Sequence, residues 1–207
     1  MTDSARSTST AVLERHALVK ALREAGPEAD TLCEGWRAHD LAVHVAARDA
    51  RPDAIIGQQV PLVADQAKKT YQGFEEMSFE ELLNRIESGA PRWSPAQLRA
   101  VDEAMNTVEF FVHTEDVLRA APAGGVQTPR TVPAAVQEKL WRQASRTLFL
   151  GIARKKRQRL TFLSPGFGSV THGGARDTQH VIEGAPGELV LWAFGREEAA
   201  DVELRRI

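Results

Sequence analysis

The chain has 207 residues, of which 43% are hydrophobic and 26% charged, and these proportions are typical of a globular protein. Its formal net charge of −2 argues against a nucleic-acid partner, because such proteins usually carry a concentrated basic face. The only cysteine, Cys33, excludes an intramolecular disulfide and a thiolate-rich zinc cluster, so any metal ion has to be held by His and carboxylate side chains.

Membrane insertion and export are not indicated by the sequence. No apolar stretch approaches the roughly 20 residues that a bilayer-spanning helix needs. The N-terminal segment also lacks the apolar core of a signal peptide. We therefore expect a cytoplasmic protein without a membrane partner.

Amphipathic helices are predicted throughout the first 120 residues. Part of 55–70 has a weaker helical pattern, and no strand signal precedes residue 120. The segment 78–89 begins with Ser followed three residues later by Glu, which is the pattern of a helical capping box. Together these patterns predict a helical bundle. The four segments with apolar residues at clear helical spacing are 9–25, 41–50, 78–89 and 94–120.

The composition changes after residue 120. A linker rich in Gly, Pro and Thr covers 121–133, and a helical pattern follows over 134–153. Short β-like runs then occur at 158–164, 178–184 and 200–207, and GELVLWAFG predicts a short buried helix between the last two. We expect a mainly α protein, with a four-helix bundle over 1–130 and a small α+β domain over 131–207.

The longest predicted helix carries a stripe of polar residues at spacings of 4, 3, 4 and 3. At about 100° per residue these side chains share one narrow face. Apolar residues, Met105 among them, border the stripe on both sides, so we expect it to point into the bundle. The stripe consists of Asp102, Asn106, Glu109, His113 and Asp116, and the opposite, solvent-facing side is predicted to carry Glu103, Thr107, Thr114 and Glu115.

Glu109 and His113 lie one turn apart and could share a divalent metal ion, with zinc expected. A metal ion would offset the several kcal/mol that burial of these groups costs. The best third ligand on another helix is His44. Two His and one carboxylate leave a coordination position open, as in catalytic sites. The alternative is a hydrogen-bonded core network of Glu109, His113 and Asn106 without a metal.

Three strings resemble a known family: TLCEGWRAHDLAVHVAARDARPDA, NTVEFFVHTEDVLRA and GELVLWAFGREEAADVEL. They are similar to the DinB-like superfamily, in its actinobacterial branch related to mycothiol-dependent maleylpyruvate isomerase. The resemblance implies a four-helix bundle with a zinc-type site, built from one His of the second helix and a Glu-x-x-x-His of the fourth. In this sequence those ligands would be His44, Glu109 and His113, with nickel as the other candidate ion. It also implies the thiol mycothiol as cofactor.

The resemblance implies a metal-dependent isomerase or thiol S-transferase, in which a low-molecular-weight thiol attacks a small electrophilic substrate. The alternatives are a thiol-independent metal hydrolase and a non-catalytic metal-binding stress protein. Arg48 is a candidate anchor for the substrate or the cofactor, or else pairs with Asp116 or Asp49. Asn106 and Asp116 are expected to orient the metal ligands. Cys33 is expected to be structural.

Overall fold

Helices make up the first part of the computed structural model, which describes residues 9–50, 64–91, 98–120, 130–174 and 179–207. The chain divides into two units, Met1–Thr128 and Pro129–Ile207. The first is helical, and the second combines helices with a small sheet. The predicted fold class, mainly α with a small α+β part, is confirmed. None of the described helices is both long and apolar enough to cross a membrane.

Five helices occur in the described part of the first unit: α1 (Thr10–Ala25), α2 (Ala38–Ala50), α3 (Ala64–Glu75), α4 (Phe79–Ser88) and α5 (Arg99–Leu118). Helix α1 packs along α5, α4 packs against α1 and α2, and α3 packs against α2. Their shared core is built from apolar side chains of all five helices. The strict four-helix arrangement stays a prediction, because 51–63 and 92–97 lie outside the described residues.

Helix α4 begins with the predicted capping box. The Ser78 hydroxyl accepts a hydrogen bond from the Glu81 backbone N–H, and the Glu81 carboxylate accepts one from the Ser78 backbone N–H, at 2.8 Å. These bonds satisfy two backbone donors that helix geometry leaves without a partner. The cap therefore fixes where α4 starts and how its buried residues Leu82, Leu83 and Ile86 meet the core.

Replacing Ser78 with alanine is expected to lower the free energy of unfolding by about 1 kcal/mol, the usual cost of losing a helix N-cap. Chemical denaturation measures the change. Ser88→Ala is the matched control at the other end of α4, because the hydrogen bond that the structure describes for the Ser88 hydroxyl goes to the Asn84 carbonyl within the same helix. An equal loss in both variants would contradict the role assigned to the cap.

The second unit contains a four-stranded sheet and a helix interrupted by a π-helical segment. The elements are α6 (Ala134–Gln143), the π-helical segment Ala144–Leu148, α7 (Phe149–Lys156), β1 (Arg159–Ser164), β2 (Gly168–His172), β3 (Gln179–Glu183), α8 (Pro186–Ala193) and β4 (Glu203–Arg206). Strand β1 pairs antiparallel with β2 and parallel with β3, and β3 pairs antiparallel with β4, so the order is β2-β1-β3-β4.

Two features of this unit are missing from the sequence prediction. Strand β2 is largely exposed and begins at a glycine, so it lacks the alternation of apolar and polar residues that predicts a strand. The π-helical segment separates the buried residues Ala144 and Phe149 by five positions, whereas the buried residues on either side of it are four apart, and the sequence analysis did not interpret this change of spacing. The predicted short helix GELVLWAFG is confirmed as α8, and its Trp192 meets Phe162 of β1 in the core of the unit.

Candidate metal centre

Helix α5 is buried around much of its circumference, whereas the sequence predicts one buried side and one solvent-facing side. The polar stripe does lie inside, but Thr107, Thr114 and Glu115 on the expected solvent side are buried as well. Met105, predicted to border the buried stripe, is instead 44% exposed. The buried polar groups have internal partners: Thr107 bonds to the Thr10 hydroxyl, Thr114 to the Phe110 carbonyl and Glu115 to Arg119. Such pairing removes the main cost of burying them.

Three potential metal ligands meet between α2 and α5. The Glu109 Oε1 atom lies 3.4 Å from His44 Nε2 and 3.3 Å from His113 Nε2. All three donor atoms lie within 4.8 Å of one another. Two ligands bound to one zinc ion with tetrahedral geometry are separated by roughly 3.3 Å, given the usual bond lengths. The chemistry and spacing of the donors therefore fit a single divalent ion, and His44, Glu109 and His113 could hold it.

Asp116 orients the His113 ring. Its Oδ2 atom accepts a hydrogen bond from His113 Nδ1 at 3.0 Å, and its side chain is fully buried. The bond turns Nε2, the other ring nitrogen, towards Glu109. A carboxylate on the outer nitrogen is the usual partner of a metal-binding His and makes the ligand nitrogen more basic. The structure thus brings Asp116 to the position where it can act as the sequence predicts.

Cys33 lies next to the same cluster, although the sequence analysis expected it to be structural and did not include it in the site. Its thiol donates to Asp116 Oδ2 over 3.2 Å, so the thiol and the His113 ring share one carboxylate oxygen. Cys33, His113 and Asp116 are also close enough to form a second group of potential ligands. The distance of 3.2 Å between the Cys33 sulfur and the Asp116 oxygen is, however, shorter than the roughly 3.5 Å expected between sulfur and oxygen ligands of one tetrahedral zinc ion. We therefore interpret this second group as hydrogen-bonded.

The protonation of Glu109 and His113 is coupled. Burial would raise the pKa of Glu109, but hydrogen bonds from His113 and His44, and the charge of Arg48, hold it well below its usual value. Burial would lower the pKa of His113. Hydrogen bonds to Asp116 and Cys33, together with the Glu109 carboxylate, outweigh burial and raise this pKa to about 11. A metal ion bound at His113 Nε2 would have to replace a proton there, so binding would release it.

Arg48 contacts the cluster directly. Its Nε atom lies 3.2 Å from Glu109 Oε1, while Nη1 donates to Asn106 Oδ1 at 2.7 Å and Nη2 to the Met105 carbonyl at 3.0 Å. The carboxylate that the structure describes beside Arg48 is that of Glu109, whereas the predicted alternative was pairing with Asp116 or Asp49. Arg48 follows His44 by one helical turn on α2, and side chains at that spacing share a face. Both therefore point towards Glu109.

Asn106 is expected from the sequence to orient a metal ligand, but its described hydrogen bonds go to residues next to the ligands and not to a ligand itself. It bonds to Arg48 and donates to Asp102 Oδ1 at 2.7 Å, and it touches none of the three candidate ligands through a hydrogen bond that the structure resolves. The hydrogen bonds described by the structure link it to Glu109 through Arg48. Asn106 also connects the site to a second group of buried charges, centred on Arg15.

Arg15 is the largest omission from the sequence analysis. It is only 5% exposed, contacts Asp49 Oδ2 at 2.5 Å and Asp102 Oδ1 at 3.3 Å, and places its guanidinium carbon 4.7 Å from the centre of the Phe110 ring. The available signal was its spacing: Arg15 shares the buried face of α1 with Leu18 and Leu22. The structure also shows that Asp49 and Asp102 neutralise this buried cation.

His16 and His39, the other two histidines of the first unit, are not members of the cluster. His16 is exposed on α1. His39 lies against the Met77 carbonyl and stacks on Phe79, and His172 contacts the Ser145 carbonyl in the second unit. Among the described residues, the groups with metal-ligand spacing are therefore those built around His113.

Comparison with known proteins identifies the fold. No family model matches the sequence. No curated protein matches it either. Among solved structures, mycothiol-dependent maleylpyruvate isomerase and a histidine-to-alanine mutant of that enzyme have TM-scores of 0.55 and 0.54. Each is 17% identical to this chain, and the alignment covers 94% of this chain and 90% of theirs. The chain thus has the fold of that isomerase over nearly its whole length, and the predicted resemblance is confirmed at the level of the fold.

Proposed function

We propose that this protein is a metal-dependent enzyme that activates a low-molecular-weight thiol for attack on a small electrophilic substrate. The observation that carries the proposal is the meeting of His44, Glu109 and His113, whose donor atoms have the separations of ligands on one tetrahedral ion. Three protein ligands leave a position open for a small molecule, as in catalytic zinc sites. The fold shared with mycothiol-dependent maleylpyruvate isomerase supports mycothiol as the thiol.

Zinc is the proposed ion, with nickel as the second candidate, since imidazole and carboxylate ligands suit both metals. A divalent ion at this site would lower the pKa of a coordinating thiol and polarise a nearby carbonyl group. The protein's own residues set the conditions for that chemistry. Asp116 fixes the His113 ring, and His44 and Glu109 are partly exposed, so the cluster can be reached from solvent.

Arg48 is the proposed anchor for a carboxylate of the substrate or of the thiol. A guanidinium group stays charged at all relevant pH values and matches carboxylate geometry. In this structure its three nitrogens contact Glu109, Asn106 and the Met105 carbonyl. Arg48 would therefore attract an anionic ligand mainly through its charge, while Asn106 keeps the guanidinium group beside Glu109.

Two reactions follow from thiol attack, and their products differ. Addition of the thiol to a conjugated double bond, rotation about the resulting single bond and elimination would return the thiol and yield a cis–trans isomer. Addition without elimination would leave a thioether. The first outcome defines an isomerase and the second a thiol S-transferase. Product analysis distinguishes them.

The proposal predicts that turnover requires both a thiol and the metal. Zinc-loaded protein should convert conjugated carbonyl electrophiles, maleylpyruvate among them, when mycothiol is present. We expect conversion to fall to the uncatalysed rate when the thiol is omitted or a chelator has removed the metal. Mass spectrometry of the products and the amount of free thiol provide the measurement.

Two results would contradict the proposal. Turnover that continues without any thiol would indicate a hydrolase, in which metal-bound water is the nucleophile. Stoichiometric metal binding without turnover of any of the conjugated carbonyl electrophiles tested would indicate a non-catalytic metal-binding protein. Heat-denatured protein with the same metal content is the control for reactions of free zinc.

A further inference from the structure

The loop between α1 and α2 touches both helices that supply the candidate ligands. From this loop, Cys33 contacts Asp116 of α5, and the Trp36 ring lies 5.1 Å from the His44 ring of α2, measured between centroids. The loop thereby reaches the two imidazoles of the cluster: Trp36 lies against His44, and Cys33 contacts His113 both directly and through Asp116. A single short segment is thus placed to influence both.

The loop is held in one conformation by its own hydrogen bonds. The Thr31 hydroxyl donates to the Trp36 carbonyl at 2.9 Å and accepts from the Cys33 backbone N–H at 3.2 Å. The Trp36 backbone N–H donates to the Cys33 carbonyl at 2.9 Å. Gly35 has a φ of 77°, a left-handed conformation that glycine adopts without strain. These bonds fix the distance between the Cys33 and Trp36 side chains.

The loop is also attached to α5 through the backbone. The Leu32 N–H donates to the Asp116 carbonyl at 3.0 Å, next to the bond between the Cys33 thiol and the Asp116 carboxylate. Asp116 therefore receives one bond from the loop on its backbone and another on its side chain. Because its carboxylate also holds His113 Nδ1, the loop and the ring are joined through one residue.

We propose that residues 31–36 are a positioning element of the metal centre: the Cys33 thiol holds the Asp116 carboxylate against His113, and the Trp36 ring limits rotation of His44. The inference rests on the ligand set given under Proposed function. Groups that orient metal ligands without touching the metal typically contribute 10–100-fold to metal affinity. Cys33 then acts by holding Asp116 and the His113 ring in place and is not itself a ligand.

The test is the affinity for Zn²⁺, measured by competition with a chromophoric chelator. Cys33→Ala is expected to weaken binding about tenfold, the lower end of the range for such groups. Cys33→Ser retains a donor to Asp116 and should recover most of the affinity. Glu34→Ala, an exposed neighbour in the same loop, is the matched control and should bind like the wild type. Circular dichroism verifies that each variant is folded.

Trp36 is tested in the same way. Trp36→Ala should weaken Zn²⁺ binding and change the visible spectrum of the Co²⁺-substituted protein, because that spectrum reports the arrangement of the ligands. Trp36→Phe keeps a flat ring against His44 and should restore the wild-type spectrum. A loss of stability alone would leave the Co²⁺ spectrum of the folded fraction unchanged, and this result would overturn the role proposed for Trp36.

A measurement without metal separates this inference from the proposed function. Proton–nitrogen NMR correlations of the imidazole rings should show a shifted His113 signal in Cys33→Ala and an unchanged His16 signal. Wild-type affinity together with an unchanged His113 signal in that variant would overturn the inference but leave the ligand set intact. A shifted His113 signal in a protein whose wild type binds neither Zn²⁺ nor Co²⁺ would instead overturn the proposed function.

Discussion

Replacing His113 with alanine is expected to weaken zinc binding by at least about 100-fold, because the loss of a ligand should exceed the 10–100-fold loss typical of groups that only orient ligands. His113 contributes the nitrogen 3.3 Å from Glu109 Oε1, and its outer nitrogen is fixed by Asp116. Removing the ring leaves two protein donors, His44 and Glu109, on different helices. Equilibrium dialysis with metal analysis measures the change.

His16→Ala is the matched control for this experiment. His16 is exposed on α1 and lies outside the cluster, so its removal tests for weak, nonspecific binding of zinc to surface histidines. We expect wild-type zinc content in this variant. If His113→Ala binds as tightly as the wild type, the cluster is a hydrogen-bonded core network, the alternative that the sequence left open.

Replacing Arg15 with methionine is expected to lower the free energy of unfolding of the first unit by about 3–5 kcal/mol, the usual cost of removing one partner from a buried ion pair. The substitution would leave Asp49 and Asp102 facing each other without their cation. It would also remove the contact between the guanidinium group and the Phe110 ring. Hydrogen exchange of the slowest amides in α1 and α5 measures the stability of this unit separately from the second.

Arg23→Met is the matched control on the same helix. Arg23 pairs with Glu80 and Glu87 at 3.8 and 3.6 Å, but its side chain is 44% exposed, and exposed pairs contribute only about 0–1 kcal/mol. Adding Asp49→Asn to Arg15→Met should recover part of the lost stability, because one uncompensated charge disappears. Equal losses from Arg15→Met and Arg23→Met would show that the buried network contributes no more than surface pairs.

The ion pairs of Arg15 with Asp49 and Asp102 are connected to the candidate metal centre by hydrogen bonds. Asp49 and Asp102 both contact Asn106, and Asn106 accepts the hydrogen bond from Arg48 beside Glu109. Loss of Arg15 would therefore free the carboxylates that hold Asn106. Its effect on zinc binding is expected to be small compared with that of His113→Ala, because three residues, Asp102, Asn106 and Arg48, lie between Arg15 and Glu109 in this series of contacts.

Local patterns in the sequence were sufficient for most of the helices. The capping box at Ser78 and the stop at Gly26 predicted helix ends that the structure contains. The spacing of apolar residues also predicted that the polar stripe of α5 lies on the buried face of that helix, since side chains three or four residues apart share a face in any α-helix. The same rule placed Glu109 and His113 side by side.

The sequence by itself therefore determined that Glu109 and His113 share a face and that the fold is mainly helical, because both depend on contacts within one element. Only the tertiary structure decided which residues surround that pair. Packing between segments that are distant in the chain buries Thr107 and Glu115, pairs Arg48 with Glu109 and brings Cys33 to Asp116. Periodicity reports the faces of a helix but not which other helix or loop covers them, and that packing defines the candidate site.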